Sequence, residues 1–366
     1  MKTNTLKEEN TDAFPFFSFE GTYYEIGKQY GESCRDLINQ HMEYAFNRLR
    51  QSISIDSIEE VERAALEYRP FVKKHAAFFD EELQGLAEGA EISLGAAYFL
   101  QLRAEIYDFF DTTDECTTFA VSKEATKEGI PMIGQNADLP AFYKEVGVVI
   151  ESIPKQHPAT LMLTPAGQIS YIGINNEGVG VCANFLECEG WRVGFPRYLL
   201  SRLALTKDDI VKAENVIQQT YRASSRNILL SDRNSSLINL EAIPNEIGRV
   251  KPTNGVIGHS NHFISDSLLH KEGKTGEDLL NSQTRLERIN ELLKKHHGSI
   301  DVETMIEVFR DRETYPHTLC RVPGDFTASS DAITFASVIA EPTKGNLWVA
   351  IGPPNEYEFK KYTFTK

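Results

Sequence analysis

The period of the sequence changes near residue 115, and that change limits what the chain can fold into. Between residues 33 and 110 apolar residues recur at three- and four-residue steps, as in Val61, Ala64, Ala65 and Tyr68, or Leu83, Leu86, Ala87 and Ala90. This is the spacing of amphipathic helices. Gly89 and Ser93 punctuate the pattern, and 94–107 reads as a second apolar helix. Beyond Cys116 the texture is short strand-like runs separated by turn residues. The runs 117–121, 146–153, 160–163, 169–174, 179–183 and 227–231 predict strands, with Asn176-Glu177-Gly178 and Asp232-Arg233-Asn234 as turns. Helices return at 195–204, 210–219 and 283–295. Strands return at 334–340 and 347–351 around a hairpin turn at 341–345. Residues 20–31 read as a short strand entering a helix, and 1–15 as a polar arm. No repeat and no Pro/Gly/Ser linker divides the 366 residues, which favours one large mixed domain.

Charge follows the same boundary. The chain carries 38 Lys/Arg and 53 Asp/Glu, a net −15. Residues 1–115 hold 11 basic and 23 acidic residues, or −12, and residues 116–366 hold 27 and 30, or −3. Such a balance argues against nucleic acid or an anionic membrane as partner. The five cysteines, Cys34, Cys116, Cys182, Cys188 and Cys320, are odd in number and contain no CxxC. That excludes a disulfide framework and a Cys-rich zinc site. A polar N-terminus and the lack of an 18-residue apolar run predict a soluble, cytoplasmic protein.

Four segments carry candidate chemistry. Cys116 lies in Asp114-Glu-Cys-Thr-Thr-Phe-Ala-Val121 and opens the first strand after the helical third, where a sulfur could stand at a sheet edge. Gly134-Gln-Asn-Ala-Asp-Leu-Pro140 reads as a strand running into a polar turn with Asn136 and Asp138. Gly258-His-Ser-Asn-His-Phe263 gathers His259, Asn261 and His262, but neither an H-x-x-x-H spacing nor a nearby CxxC completes a metal site. Thr318-Leu-Cys-Arg-Val322 contributes Arg321. Taken singly, each has an ordinary structural reading: a buried thiol, an Asx turn, structural histidines, a surface arginine.

In order and spacing these segments resemble the acyl-coenzyme A:6-aminopenicillanic-acid acyltransferase family, the isopenicillin N acyltransferase-like proteins. The likeness also takes in Gly21, Glu25-Ile-Gly27 and Gly31, Gly85-Leu-Ala-Glu-Gly-Ala90, Gly178-Val-Gly-Val181 with Asn184, Gly194-Phe-Pro196 with Arg202, and Asn227 with Asp232. It implies an α+β fold, the four-layer αββα sandwich of the N-terminal-nucleophile hydrolases. It implies a precursor, or zymogen, that cuts itself between Glu115 and Cys116. Residues 1–115 would become a helical small subunit and 116–366 a strand-rich large one, associated as one αββα domain. Cys116 would be the nucleophile, Asp138 would hold its amine, Asn261 would serve the oxyanion, and Arg321 would balance Asp138 or bind a carboxylate.

The chemistry of such a site is simple. A thiol of pKa near 8.5 is mostly protonated at neutral pH, whereas a free α-amine near 7.7–8.0 is partly neutral. Cleavage would therefore create nucleophile and base on one residue, acting on C–N amide bonds of small N-acyl or peptide-like substrates through a Cys116 thioester. Neither metal nor organic cofactor is implied, homo-oligomerisation is compatible with the sequence, and His262, Ala137 and Arg202 are candidate substrate contacts. Two features depart from the family pattern. Glu115 stands where many members have glycine, and Ala137 where an aromatic residue is common. Two other readings stay open: an uncleaved thiol hydrolase with His259 or His262 as base, and a non-catalytic relative. The remaining cysteines, Tyr198 and Arg285 read as structural.

Overall fold

The chain enters its fold through a capped helix. β1 (Phe16–Gly21) ends at Thr22, whose hydroxyl accepts the Glu25 N–H at 3.2 Å while its own N–H donates to the Glu25 carboxylate at 2.7 Å. This reciprocal capping box starts α1 (Tyr23–Ser33). α2 (Arg35–Ser52), α3 (Ile58–Leu66), α4 (Arg69–Ala90), α5 (Leu94–Phe99) and α6 (Ala104–Tyr107) follow. α1 and α4 touch backbone to backbone at glycines. A methyl built on Gly27 would strike the Glu82 carbonyl oxygen, and one on Gly85 the Tyr24 carbonyl oxygen. Gly89, expected to punctuate, lies inside α4 for the same reason, against the Lys28 carbonyl. The helix instead stops at Glu91, which is left-handed at φ 58, and Ser93 caps α5. The single helix expected over 94–107 is two short ones. Between them Gln101 donates to the Ala97 and Gly167 carbonyls and accepts the Ile169 N–H. This computed structural model describes residues 13–52, 57–102, 104–107, 115–325 and 332–366. The expected arm, up to residue 12, lies outside them.

Two sheets make the middle of the molecule. One runs in the order β1, β4 (Gly147–Pro154), β5 (Thr160–Pro165), β6 (Ile172–Asn175), β7 (Gly180–Phe185), β8 (Arg226–Ser231), β9 (Leu237–Ala242) and β10 (Ile247–Val250). It is antiparallel except for β1 on β4. The other is antiparallel in the order β11 (Val256–His259), β2 (Glu115–Val121), β3 (Met132–Pro140), β12 (Ala332–Glu341), β13 (Asn346–Ile351) and β14 (Lys360–Thr363).

Three apolar layers separate four structural layers. Ile26, Phe79 and Leu83 of the N-terminal helices pack on Val148, Ile150, Val181 and Leu230 of the first sheet. Between the sheets Cys116, Ala120, Ile133 and Ala137 meet Val149, Leu163, Cys182 and Leu229. Phe119, Val121 and Ile339 face Ile289 and Leu293 of α10 (Gly276–Lys295) and Met305 and Phe309 of α11 (Val302–Phe309). The protein is the αββα sandwich expected. The segment before Glu115 supplies β1 and α1 to α6, and two helices from beyond it, Arg197–Leu205 and Ile210–Gln219, join their layer on the first sheet. No helix among the described residues is long and apolar enough to cross a membrane.

The second segment corrects the sequence reading. Gly134 to Pro140 is not a polar turn after a strand but the body of β3, a central strand buried along its whole length. Asn and Asp disfavour strands when left to local preference, but tertiary partners override it here. Gln135 exchanges hydrogen bonds with the Ala183 backbone, both 2.9 Å, and Asn136 donates to the carbonyls of Phe309 at 3.0 Å and Leu319 at 2.8 Å.

Candidate active site

β11 pairs with β2 only as far as His259 opposite Thr118, and the chain then turns away. The Cys116 N–H would be left without a strand partner, which is costly for a buried amide. Asn261 supplies the missing acceptor: its Oδ1 takes the Cys116 N–H at 2.8 Å. Two further donors fix Asn261 and Cys116 together. Arg285, from α10, gives one nitrogen to Asn261 Oδ1 at 2.9 Å and another to the Cys116 carbonyl at 2.8 Å. Asn184 Nδ2 reaches the same carbonyl at 3.0 Å. Asn261 Nδ2, the group suited to an oxyanion, donates to the Phe185 carbonyl at 3.0 Å in this uncut chain. Arg285 gave no motif in the sequence. The sequence reads it as structural, and the structure places it against the Cys116 carbonyl and Asn261.

Strand alternation sends neighbours to opposite faces. Cys116 points between the sheets, opposite Ala137 on β3 and near Cys182, whose thiol burial and the Cys116 sulfur push up. Glu115 points outward into the α10 layer. Its carboxylate bonds the Arg321 guanidinium and Asn281 Nδ2 (2.5 Å), with Arg285 at 3.8 Å. Burial raises its proton affinity, but Arg321, Arg285 and Lys274 outweigh that and hold it below the ordinary value of 4.5. Residue 115 is regular extended strand. The left-handed non-glycine residues among those described are Glu91, Ser235 and Asn254, so the backbone at 115 does not call for glycine.

Asp138 sits opposite Glu115 in the β2–β3 register. Thr334 donates to its Oδ1 at 2.6 Å, while the buried Oδ2 has no partner. Burial pushes its pKa up to about 7, against the lowering pull of Arg321 and Arg285. Arg321 thus stands between two carboxylates, bonded to Glu115 and felt by Asp138.

The other candidates lie elsewhere or are otherwise engaged. His259 bonds the Ser260 carbonyl at 2.8 Å and Glu241 at 2.9 Å, using both ring nitrogens. His262 Nδ1 meets Ser282 Oγ at 2.8 Å, and burial, with His259 and Arg285, lowers its pKa to about 4. His259 thus has both ring nitrogens engaged, and His262 has Nδ1 engaged by Ser282. Arg202 is bound to Glu82 at 2.6 Å, Ile169 and Ser152 in the helical layer.

The family described as Acyl-coenzyme A:6-aminopenicillanic acid acyl-transferase matches residues 125–356, more than half of the chain, taking in Asp138, Asn261 and Arg321. The 40 kDa form of acyl-coenzyme A:6-aminopenicillanic-acid-acyltransferase from Emericella nidulans is 28% identical over 343 residues, covering 92% of each chain. Among solved structures, a variant of the conjugated bile acid hydrolase of Clostridium perfringens is 15% identical with a TM-score of 0.47, over 69% of this chain and 98% of that one. Penicillin V acylase from Agrobacterium tumefaciens is 12% identical with a TM-score of 0.45, over 69% and 87%. By the matched span, the chain belongs to the acyl-coenzyme A:6-aminopenicillanic acid acyl-transferase family.

Proposed function

We propose that the protein is a self-processed cysteine amidohydrolase or acyltransferase of the N-terminal-nucleophile kind, acting on the C–N bond of small N-acyl or peptide-like amides. The observation that carries the reading is the Cys116 nitrogen held at 2.8 Å by a side-chain oxygen rather than by a strand. That oxygen satisfies the buried N–H of the uncut chain, and after a cut it would hold the α-amine beside its own thiol. In the first turnover Cys116 Sγ adds to the Glu115 carbonyl, the Glu115–Cys116 C–N bond breaks, and the proton passes to the nitrogen. Water then hydrolyses the thioester to a Glu115 carboxylate and a free thiol. In later turnovers the amine takes the thiol proton and gives it to the leaving amine of the substrate, and the acyl group passes from sulfur to water or to another amine. Asn261 holds the amine, Asp138 sets its charge environment, and Arg321 with Arg285 keeps the severed Glu115 end docked. Ala137 lines the acyl side of the thiol.

The test is intact mass. A chain of 41.3 kDa cut after residue 115 gives fragments of about 13 and 28 kDa, the larger beginning Cys-Thr-Thr-Phe. Cys116→Ala should stay whole and release no amine from a panel of N-acyl amides. Active protein that remains one chain refutes the processing, and amide cleavage that survives Cys116→Ala refutes the nucleophile.

A further inference from the structure

Most of the large buried guanidiniums here have polar partners that explain them. Arg202 has Glu82, Arg321 has Glu115, Arg285 has Cys116 and Asn261, and Arg222 has the carbonyls of Ile243 and Ile217. Arg226 does not. It is 3% exposed, its Nε has no hydrogen-bond partner, and no carboxylate lies within ion-pair distance of it among the described residues. Its guanidinium rests on the Tyr198 ring at 4.4 Å. A buried cation without an anion is strongly unfavourable, and a lone ring face offsets only part of that. A fold keeps such a group where something else completes it.

Its position is next to the chemistry. Arg226 opens β8 opposite Phe185, the residue whose carbonyl Asn261 holds while it also holds Cys116. The fields of Cys116 and Tyr171 reach it, and so does that of Arg197. Arg197 lies over the rings of Phe185 at 4.7 Å, Tyr198 at 5.1 Å and Trp191 at 5.4 Å, with Glu105 at 3.5 Å. Two guanidiniums walled by aromatic rings, one with no anion, describe a receptor for a planar anion.

We infer that Arg226, flanked by Arg197 and Tyr198, is a specificity subsite that binds a carboxylate of the substrate. This rests on the proposed amidase reading and narrows its substrates to N-acyl amides bearing a carboxylate on the acyl or the amine side.

Matched probes distinguish the two sides. N-benzoylglycine against N-benzoylglycinamide places the charge on the amine side. Glutaric acid monoanilide against pentananilide places it on the acyl side. For one of these pairs the processed protein should favour the acid in kcat/KM by about 10- to 100-fold, the worth of a charge-assisted hydrogen bond. Arg226→Gln should bring that ratio near one, and Arg226→Lys should restore part of it. Arg226→Leu should leave the melting temperature unchanged or raise it, since an unpaired buried charge is removed. A ratio near one in the unaltered protein, or a ratio that survives Arg226→Gln, overturns the inference. So does a large fall in melting temperature for Arg226→Leu together with an intact ratio, the result of a purely structural role. Should none of the four amides be cleaved, the subsite is read alone. Trp191, bonded to Ser225 beside Arg226 at 3.0 Å, reports binding by fluorescence. Phenylacetate should then bind at least tenfold tighter than phenylacetamide, and Arg226→Gln should abolish the difference; equal binding overturns the subsite.

Discussion

Asp138 makes the stability of the uncut chain depend on pH, by an amount that can be worked out. Its carboxyl lies wholly inside β3, raised by burial from 3.8 to about 7. At 1.36 kcal/mol per tenfold change in proton affinity, that difference is about 4 kcal/mol. Because the folded value lies above the unfolded one, this contribution favours the folded chain fully below pH 3.8 and is lost as pH rises through about 7. Above pH 7 the folded chain therefore carries a buried anion whose Oδ2 has no partner. Asp138→Asn keeps the shape and an acceptor for Thr334 but removes the charge. The comparison is made in a Cys116→Ala chain, which lacks the proposed nucleophile and should stay uncut. An unfolding entropy of about 2.1 cal/mol/K per residue over 366 residues gives about 0.77 kcal/mol/K, so 4 kcal/mol is about 5 °C. Asp138→Asn should match its parent near pH 4 and melt about 5 °C higher at pH 8, by calorimetry at half-unit pH steps. Parallel curves from pH 4 to 8 would mean that Asp138 is ionised throughout, with Arg321 and Arg285 outweighing its burial.

Glu115 behaves in the opposite sense. Held below 4.5 chiefly by Arg321 against its burial, it stabilises the fold above that pH and ceases to do so as pH falls through its folded value. Glu115→Gln should lower stability by about 3–5 kcal/mol at pH 7, since it removes the carboxylate paired with the buried Arg321 guanidinium, and should flatten the acid limb of the urea midpoint against pH. Asn261→Ala should slow appearance of the 28 kDa fragment about 100-fold by freeing the Cys116 nitrogen, read by timed gel after refolding. Gly85→Ala should destabilise by about 1–3 kcal/mol or prevent folding, because the added methyl meets the Tyr24 carbonyl of α1. Thermal melts that match the parent would refute that contact.

Much of the architecture is legible because the apolar period carries it: 58–66 and 210–219 are helices as spaced, and the strand runs fall within two residues of β4, β5, β7 and β8. The glycines at 27, 31, 85 and 89 stand in segments that resemble the family, and their reason is a packing contact between two helices that no local rule displays. The site is harder to read. β3 is a central strand written in polar residues, because Gln135, Asn136 and Asp138 find their partners more than forty residues away. Arg285 and Arg226 stand in no motif. Their importance comes from what they meet, or fail to meet, once α10 and β8 are in place.

The charges at residues 115 and 116 also explain how two fragments could stay one molecule. Uncut, the Arg321 and Arg285 guanidiniums pair with the Glu115 carboxylate and are felt by Asp138, with Lys274 near enough to Glu115 to be felt. The proposed cut adds a second anion there, the new α-carboxylate of Glu115, which is ionised at neutral pH. On the Cys116 side of the same bond it adds an amine, beside Asn261 Oδ1. Each new charge arises where the uncut fold has an excess of the opposite sign or an acceptor in place. Cleavage would therefore strengthen the docking of the severed end on Arg321 and Arg285, and the alternation of one strand keeps that anchor apart from the thiol it releases.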